Sequence, residues 1–182
     1  MSPRDGGRAH IWEEGREAMT TSLVRTRYAG SDDVAGVQEL YDRCSPQTLE
    51  RRFHLPVTRV SPTLVSELVR PPRGWSMLAE QGEEVVGHGC AGETSPDQVE
   101  IGLLVDDAFQ GTGVGTRLMR DLAATAAERG YRSLVCCVAP DNQSVLPTVR
   151  RAGLPHESAY VDGVVEIHVP LLEHPARLQE PA

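Results

Sequence analysis

The chain has 182 residues, 40% hydrophobic and 24% charged, enough apolar material for one domain with a buried core and too little length for a second full one. Its formal net charge of −8 argues against nucleic acid, which needs a basic stripe along its phosphate backbone; a cationic amine partner and simple solubility both fit it. No apolar stretch approaches a membrane span, and Arg4, Arg8, Glu13, Glu14 and Arg16 interrupt any signal-peptide core, so a cytoplasmic protein without membrane contact is expected.

Residues 1–21 lack periodicity and read as a loose leader, with Met19 offering an alternative start. The domain is expected over 22–172, followed by a tail over 173–182. Leu23 to Tyr28 reads as a strand. Ser31-Asp32-Asp33 offers an N-cap and acidic first-turn residues ahead of Val34, Val37, Leu40 and Tyr41 at helical spacing. Ser45-Pro46 and Ser61-Pro62 each place a capping hydroxyl before a proline at the first helical position, and start two short helices. Trp75 to Glu80 and Glu84 to Ala91, separated by Gln81-Gly82, form a predicted hairpin. A loop over Gly92 to Asp97 leads into a third strand, Val99 to Val105, whose Leu103-Leu104-Val105 end is apolar on both faces, as a central strand requires.

The next helix carries Val114, Leu118, Leu122 and Ala126 on one stripe and closes at Gly130. Ser133 to Val138 reads as a buried strand, which the right-handed crossover rule places parallel to the preceding one. Pro140 to Ser144 caps another helix running to Gly153, with Pro147 expected to remove a backbone bond and bend it. Ala159 to Val161 and Val164 to Leu171 flank Asp162-Gly163, a hairpin signal.

Cys44, Cys90, Cys136 and Cys137 show no Cys-x-x-Cys spacing, and the adjacent pair points to opposite faces of its strand. They read as reduced core fillers. The six histidines are scattered without ligand spacing, so no metal is expected. Every basic residue is arginine; with no lysine, the protein cannot acylate its own lysine side chains.

The most informative stretch is Phe109-Gln110-Gly111-Thr112-Gly113-Val114-Gly115-Thr116, between a strand and a helix. Three glycines within five positions leave backbone amides free to converge on one anion at the helix start, a diphosphate cradle. A Walker loop requires a Gly-Lys-Ser/Thr ending, which a lysine-free chain cannot supply. The Gly-x-Gly-x-x-Gly dinucleotide pattern fails at Thr116. Gln/Arg-x-x-Gly-x-Gly/Ala is satisfied by Gln110, Gly113 and Gly115.

This loop resembles the acyl-CoA loop of the GNAT superfamily of N-acetyltransferases, and the similarity extends over about Leu23 to Leu171 with Asn142 as a second landmark. The Ser45-to-Phe53 segment resembles that of bacterial Pat-type protein-lysine acetyltransferases, where it covers the acceptor side of the cleft; a plain amphipathic helix packing Leu49 and Phe53 inward also fits. The resemblance implies an α/β (α+β) GNAT fold: a mixed sheet of six to seven strands, about four helices, and a splay between the two central parallel strands. In that splay the pantetheine arm would bond to backbone groups of Leu103, Leu104 and Val105, with the Leu103 N–H aimed at the acetyl oxygen. The pyrophosphate would rest on Gln110, Gly111, Thr112, Gly113, Val114, Gly115 and Thr116, helped by the positive end of the following helix. Asn142 would contact pantetheine, cap its helix, or do both.

Glu100 lies ten residues before Gln110, the separation of strand carboxylate and loop glutamine in Pat-type enzymes, which marks it as the general base. A solvent-facing charge fits the position too. A carboxylate with a pKa near ~4.3 needs desolvation or a water relay to serve an ammonium. The chain departs from the family at Val149, where a tyrosine often protonates the departing thiolate, and at Thr112, where a basic residue is common; Arg117, Arg150 or Arg151 could compensate. The resemblance implies transfer of acetyl from acetyl-CoA to a primary amine, a protein lysine ahead of a small amine, by a monomer or homodimer. A catalytically silent acyl-CoA sensor is the alternative of a different class.

Overall fold

A computed structural model describes residues 24–171; the expected leader over 1–21 and tail over 173–182 lie outside them. The strands are β1 (Arg25–Tyr28), β2 (Gly74–Gln81), β3 (Glu84–Ser95), β4 (Gln98–Val105), β5 (Ser133–Val138), β6 (Glu157–Val161) and β7 (Val164–Pro170). The helices are α1 (Val34–Arg43), α2 (Pro46–Phe53), α3 (Pro62–Val69), α4 (Val114–Glu128) and α5 (Val145–Arg151). All seven strands join one sheet in the order β1-β2-β3-β4-β5-β7-β6. The count is one helix above the expected four, because α1 and both Ser-Pro helices form.

The sheet separates two cores. On one face Val99 and Ile101 meet Leu118, Met119 and Leu122 of α4 and Val149 of α5. On the other, Leu78, Val85 and Leu104 pack against Val37, Leu40 and Tyr41 of α1, Leu49 of α2 and Val65 of α3. β4 therefore alternates as its sequence predicts, with odd residues toward α4 and even ones toward α1–α3.

Both Ser-Pro starts form as the sequence indicates, with the Ser45 hydroxyl accepting the Thr48 N–H at 3.3 Å and Ser61 accepting that of Leu64 at 3.2 Å. Asp162 and Gly163 turn the β6–β7 hairpin at φ 47° and 91°, as a primed two-residue turn demands. Four expectations are revised. β1 begins at Arg25. Ser31–Asp33 is a 3-10 turn in which the Asp33 carboxylate accepts the Gly30 N–H at 2.7 Å, so Ser31 does not cap α1. The expected loop after Ala91 is mostly strand, because the ladder with β4 continues through Gly92–Glu100, Glu93–Val99 and Ser95–Gln98 and the Glu93 N–H donates to Arg73 O at 2.8 Å. Pro147 is the third residue of α5, where the N–H has no intrahelical acceptor to lose, and the helix runs on through Arg151.

Beneath α1 runs a buried polar chain. The Ser76 hydroxyl lies 2.7 Å from His88 Nε2, and His88 Nδ1 lies 3.0 Å from the Tyr41 hydroxyl. Burial, reinforced by the positive Arg52 nearby, pushes His88 down to about 3, so the ring is neutral and links the two hydroxyls as donor to one and acceptor from the other. In the unfolded chain the same imidazole titrates near ~6.5. It therefore has no effect on stability well above that pH, and it destabilises the fold progressively as pH falls toward about 3. Denaturant unfolding between pH 6 and pH 4 should show a slope that His88→Gln makes shallower by about 1.4 kcal/mol per pH unit; identical slopes would refute this role.

Candidate active site

The site begins where the sheet comes apart. β4 and β5 pair in parallel only at Gln98–Ser133, Val99–Leu134 and Glu100–Val135. Beyond Glu100, β4 stays with β3 as far as Val105, while β5 stays with β7 as far as Val138. The expected splay is thus present between the two central parallel strands.

The peptide groups facing this wedge follow from the register. The Asp106 N–H donates to Val86 O at 3.0 Å, the bond that flanks the non-hydrogen-bonded pair Gly87–Val105. Antiparallel alternation then turns the N–H and C=O of Gly102 and Leu104 toward β3, and those of Leu103 and Val105 toward the wedge. The Val105 carbonyl accepts Gln110 Nε2 at 3.2 Å from that side.

At the open end of the wedge lies the start of α4. Gly113 caps it at φ 98°, a left-handed conformation that costs a side-chain-bearing residue strain. The first intrahelical bond runs from the Arg117 N–H to Gly113 O at 3.0 Å, so the N–H groups of Val114, Gly115 and Thr116 precede it and lack helical acceptors. Free amides at a helix start, with the helix dipole behind them, are the kind of group that accepts an anion.

Wedge and helix start share one cavity of ≈ 680 Å³. Glu100, Leu103, Leu104 and Val105 line it, as do Gln110, Gly111, Gly113, Gly115, Thr116 and Asn142. Thr112 and Val114 do not. The Thr112 hydroxyl donates to Phe109 O at 2.6 Å, closing the loop on itself, and the Val114 side chain is buried in the core. Asn142 Oδ1 accepts from the Ser144 hydroxyl at 2.6 Å and from the Ser144 N–H at 3.3 Å; Ser144 holds the N-cap position of α5 without a side-chain capping bond. Val149, at the usual tyrosine position, is fully buried, so α5 presents no phenol to the cavity.

Glu100 is exposed on the α1–α3 face of β4, with Cys137 within its electrostatic reach. Burial pushes the Cys137 thiol up, and the Glu100 and Glu166 carboxylates add to the shift, so it stays protonated. Cys136 on the opposite face is buried and pushed up to about 12 for the same first reason. All four cysteines are free, but Cys137 lines the cavity and is only half-buried, so it is no simple core filler.

A tether missed by sequence reading joins α2 to the loop after β4. The Asp107 carboxylate accepts the Ser45 N–H at 2.8 Å, the Ser45 hydroxyl at 2.9 Å and the Thr48 hydroxyl at 2.8 Å. Gln110 Nε2 reaches the same Thr48 oxygen at 3.0 Å. Burial alone would raise the Asp107 carboxyl, but the Ser45 and Thr48 donors outweigh it and hold it below its ordinary value. The Ser-Pro-x-Thr spelling serves two ends, a helix cap and a clamp on the glycine loop. The α2 side of the cavity also carries Arg51, Arg52 and His54.

No group of three or more His, Cys, Asp or Glu among the described residues could hold a metal ion. No helix among them is long and apolar enough to cross a membrane.

No curated protein matches the sequence. Among solved structures, the GNAT domain of S. lividans PAT is 28% identical, with a TM-score of 0.74 over 81% of this chain and 90% of that one. A phosphinothricin acetyltransferase from Sinorhizobium meliloti in complex with AcCoA is 18% identical, with a TM-score of 0.66 over 85% and 92%. The structure of yncA from Salmonella typhimurium with its cofactor acetyl-CoA is 17% identical, with a TM-score of 0.65 over 85% and 96%. These last two show the shared fold. The model of the acetyltransferase (GNAT) family matches residues 34–154, more than half of the chain. The chain therefore belongs to the GNAT family of acetyl-CoA-dependent N-acetyltransferases.

Proposed function

We propose that this protein transfers an acetyl group from acetyl-CoA to a primary amine, with a protein lysine as acceptor, by direct attack in a ternary complex. The observation that carries the reading is the wedge beyond Glu100, where unpaired peptide groups at the sheet centre adjoin the open amides of α4. Acetyl-CoA supplies a thioester whose carbonyl is open to amine attack. The Leu103 N–H faces the wedge and serves as the donor to the developing oxyanion. The Val114, Gly115 and Thr116 amides hold the pyrophosphate, and Leu103 and Val105 order the pantetheine arm as an added strand would be ordered.

Glu100 takes the proton from the acceptor ammonium; its exposure leaves room for transfer through one water. The lysine preference rests on the Ser45-to-Phe53 segment, which forms α2 over the cleft, and on the 28% identity to the S. lividans PAT domain. Because the chain contains no lysine, any acetyl-lysine found after incubation with candidate proteins belongs to the acceptor.

Glu100→Gln should lower kcat/KM about 10²- to 10⁴-fold at neutral pH and leave acetyl-CoA affinity unchanged by calorimetry; full activity would eliminate Glu100 as the base. Gly113→Ala forces a side chain into the left-handed cap at a cost of about 1–2 kcal/mol and shifts the α4 amides, so acetyl-CoA should bind more weakly to folded protein. Undiminished affinity in that variant would count against the cradle. Binding of acetyl-CoA by the native protein without free-thiol release across amines and lysine proteins would identify a silent sensor instead.

A further inference from the structure

The α2 wall of the cavity holds two cations that no carboxylate among the described residues pairs with. Arg51 and Arg52 end α2 and line the cavity, and neither forms a salt bridge among the described residues. The Nε of each is buried without a hydrogen-bond partner. Both side chains are half-buried, and a guanidinium with a buried, unpartnered nitrogen calls for a partner.

Arg52 is the more closely fixed of the two. Its Nη2 donates to Cys90 Sγ at 3.1 Å, and its guanidinium carbon lies 5.3 Å from the Phe53 ring centre. It rests flat on β4 where a Cβ on Gly102 would fall, 2.5 Å from that position, so the strand needs a glycine there to admit it. None of its inner neighbours neutralises it. Burial holds the Tyr41 phenol up at about 12 and His88 down at about 3, so both stay uncharged. A sulfur atom, a ring face and the neutral Tyr41 hydroxyl are weak partners for a full charge.

Glu100 and Gly102 point to the same face of β4, about 6–7 Å apart along the strand. The cleft therefore sets a carboxylate and a guanidinium on one wall, two positions apart along β4, an arrangement that suits a ligand with an amine at one end and an anion a few bonds away. Resting on the acetyl-transfer reading, we infer that the acceptor presents a carboxylate close to its reacting amine, and that Arg52 is the residue that recognises it. Arg51, which also borders a smaller neighbouring cavity with Glu50 and Asp141, supports the same wall. The carboxylate comes either from the acceptor itself, as in an α-amino acid, or from an acidic residue beside a target lysine.

Two matched pairs separate these sources: an α-amino acid with its amide, and an alanine-flanked lysine peptide with its glutamate-flanked counterpart. Each is titrated by calorimetry into the full-length protein loaded with CoA, and turnover is followed in parallel by thiol release from acetyl-CoA. In one pair the carboxylate-bearing member should bind about tenfold more tightly or better, as a charge-assisted hydrogen bond allows. Arg52→Gln should abolish that preference and Arg52→Lys restore part of it, with CoA affinity unchanged in both. Gly102→Ala, which displaces the guanidinium but keeps its charge, should weaken the preference too, so the test survives if Arg52→Gln does not fold. Equal affinities within both pairs, or a preference that persists in folded Arg52→Gln, overturns the inference. Thiol release without preference sinks this inference and leaves acetyl transfer standing; preference without thiol release does the reverse.

Discussion

Everything at this site depends on the central seam of the sheet closing for only three residue pairs. A parallel pair that parts after Glu100 leaves peptide groups of Leu103 and Val105 facing outward at the middle of the molecule, where backbone donors and acceptors are normally satisfied. Neighbouring strands hold each arm of the wedge in place, β3 on one side and β7 on the other, so the opening is part of the fold and needs no ligand to create it. α4 then sets its own unsatisfied amides at the mouth. A ligand with a strand-like amide arm and a diphosphate satisfies both sets of groups at once.

The two halves of the cleft are linked mechanically. Asp107 and Gln110 sit at the beginning of the glycine loop, and both hold Thr48 of α2, the helix that lines the other side of the cavity. The same helix ends with Arg52 above Gly102 and beside the Tyr41–His88–Ser76 chain. The glycine loop and the Arg52 wall of the cavity are thus tied together through one short helix. Its two turns would be marginal alone; the Asp107 tether at its start and the packing of Leu49 supply the stability its length does not.

Much of this was legible in the sequence. Strand alternation placed Glu100 opposite Val99 and Ile101, and glycine and serine-proline punctuation fixed the starts of α2, α3 and α4, because these signals are local. What stayed hidden was non-local. Nothing in Asp107 announces that it will accept three donors from residues some sixty positions earlier. Nor does Gly102 reveal that its missing side chain makes room for Arg52. The loop expected after Ala91 is mostly strand because its backbone pairs with β4 and with Arg73, partners that the segment itself does not announce. The expected kink at Pro147 failed for a local reason, a helix start only two residues earlier than the proline.

Amide hydrogen exchange with and without acetyl-CoA tests the wedge most directly, because it reads individual peptide groups. Slower exchange on binding at Leu103, Val105, Val114, Gly115 and Thr116, with Gly102 and Leu104 unchanged because β3 already holds them, is the expected result. Binding that leaves the exchange of Leu103 and the first α4 amides unaltered would contradict it.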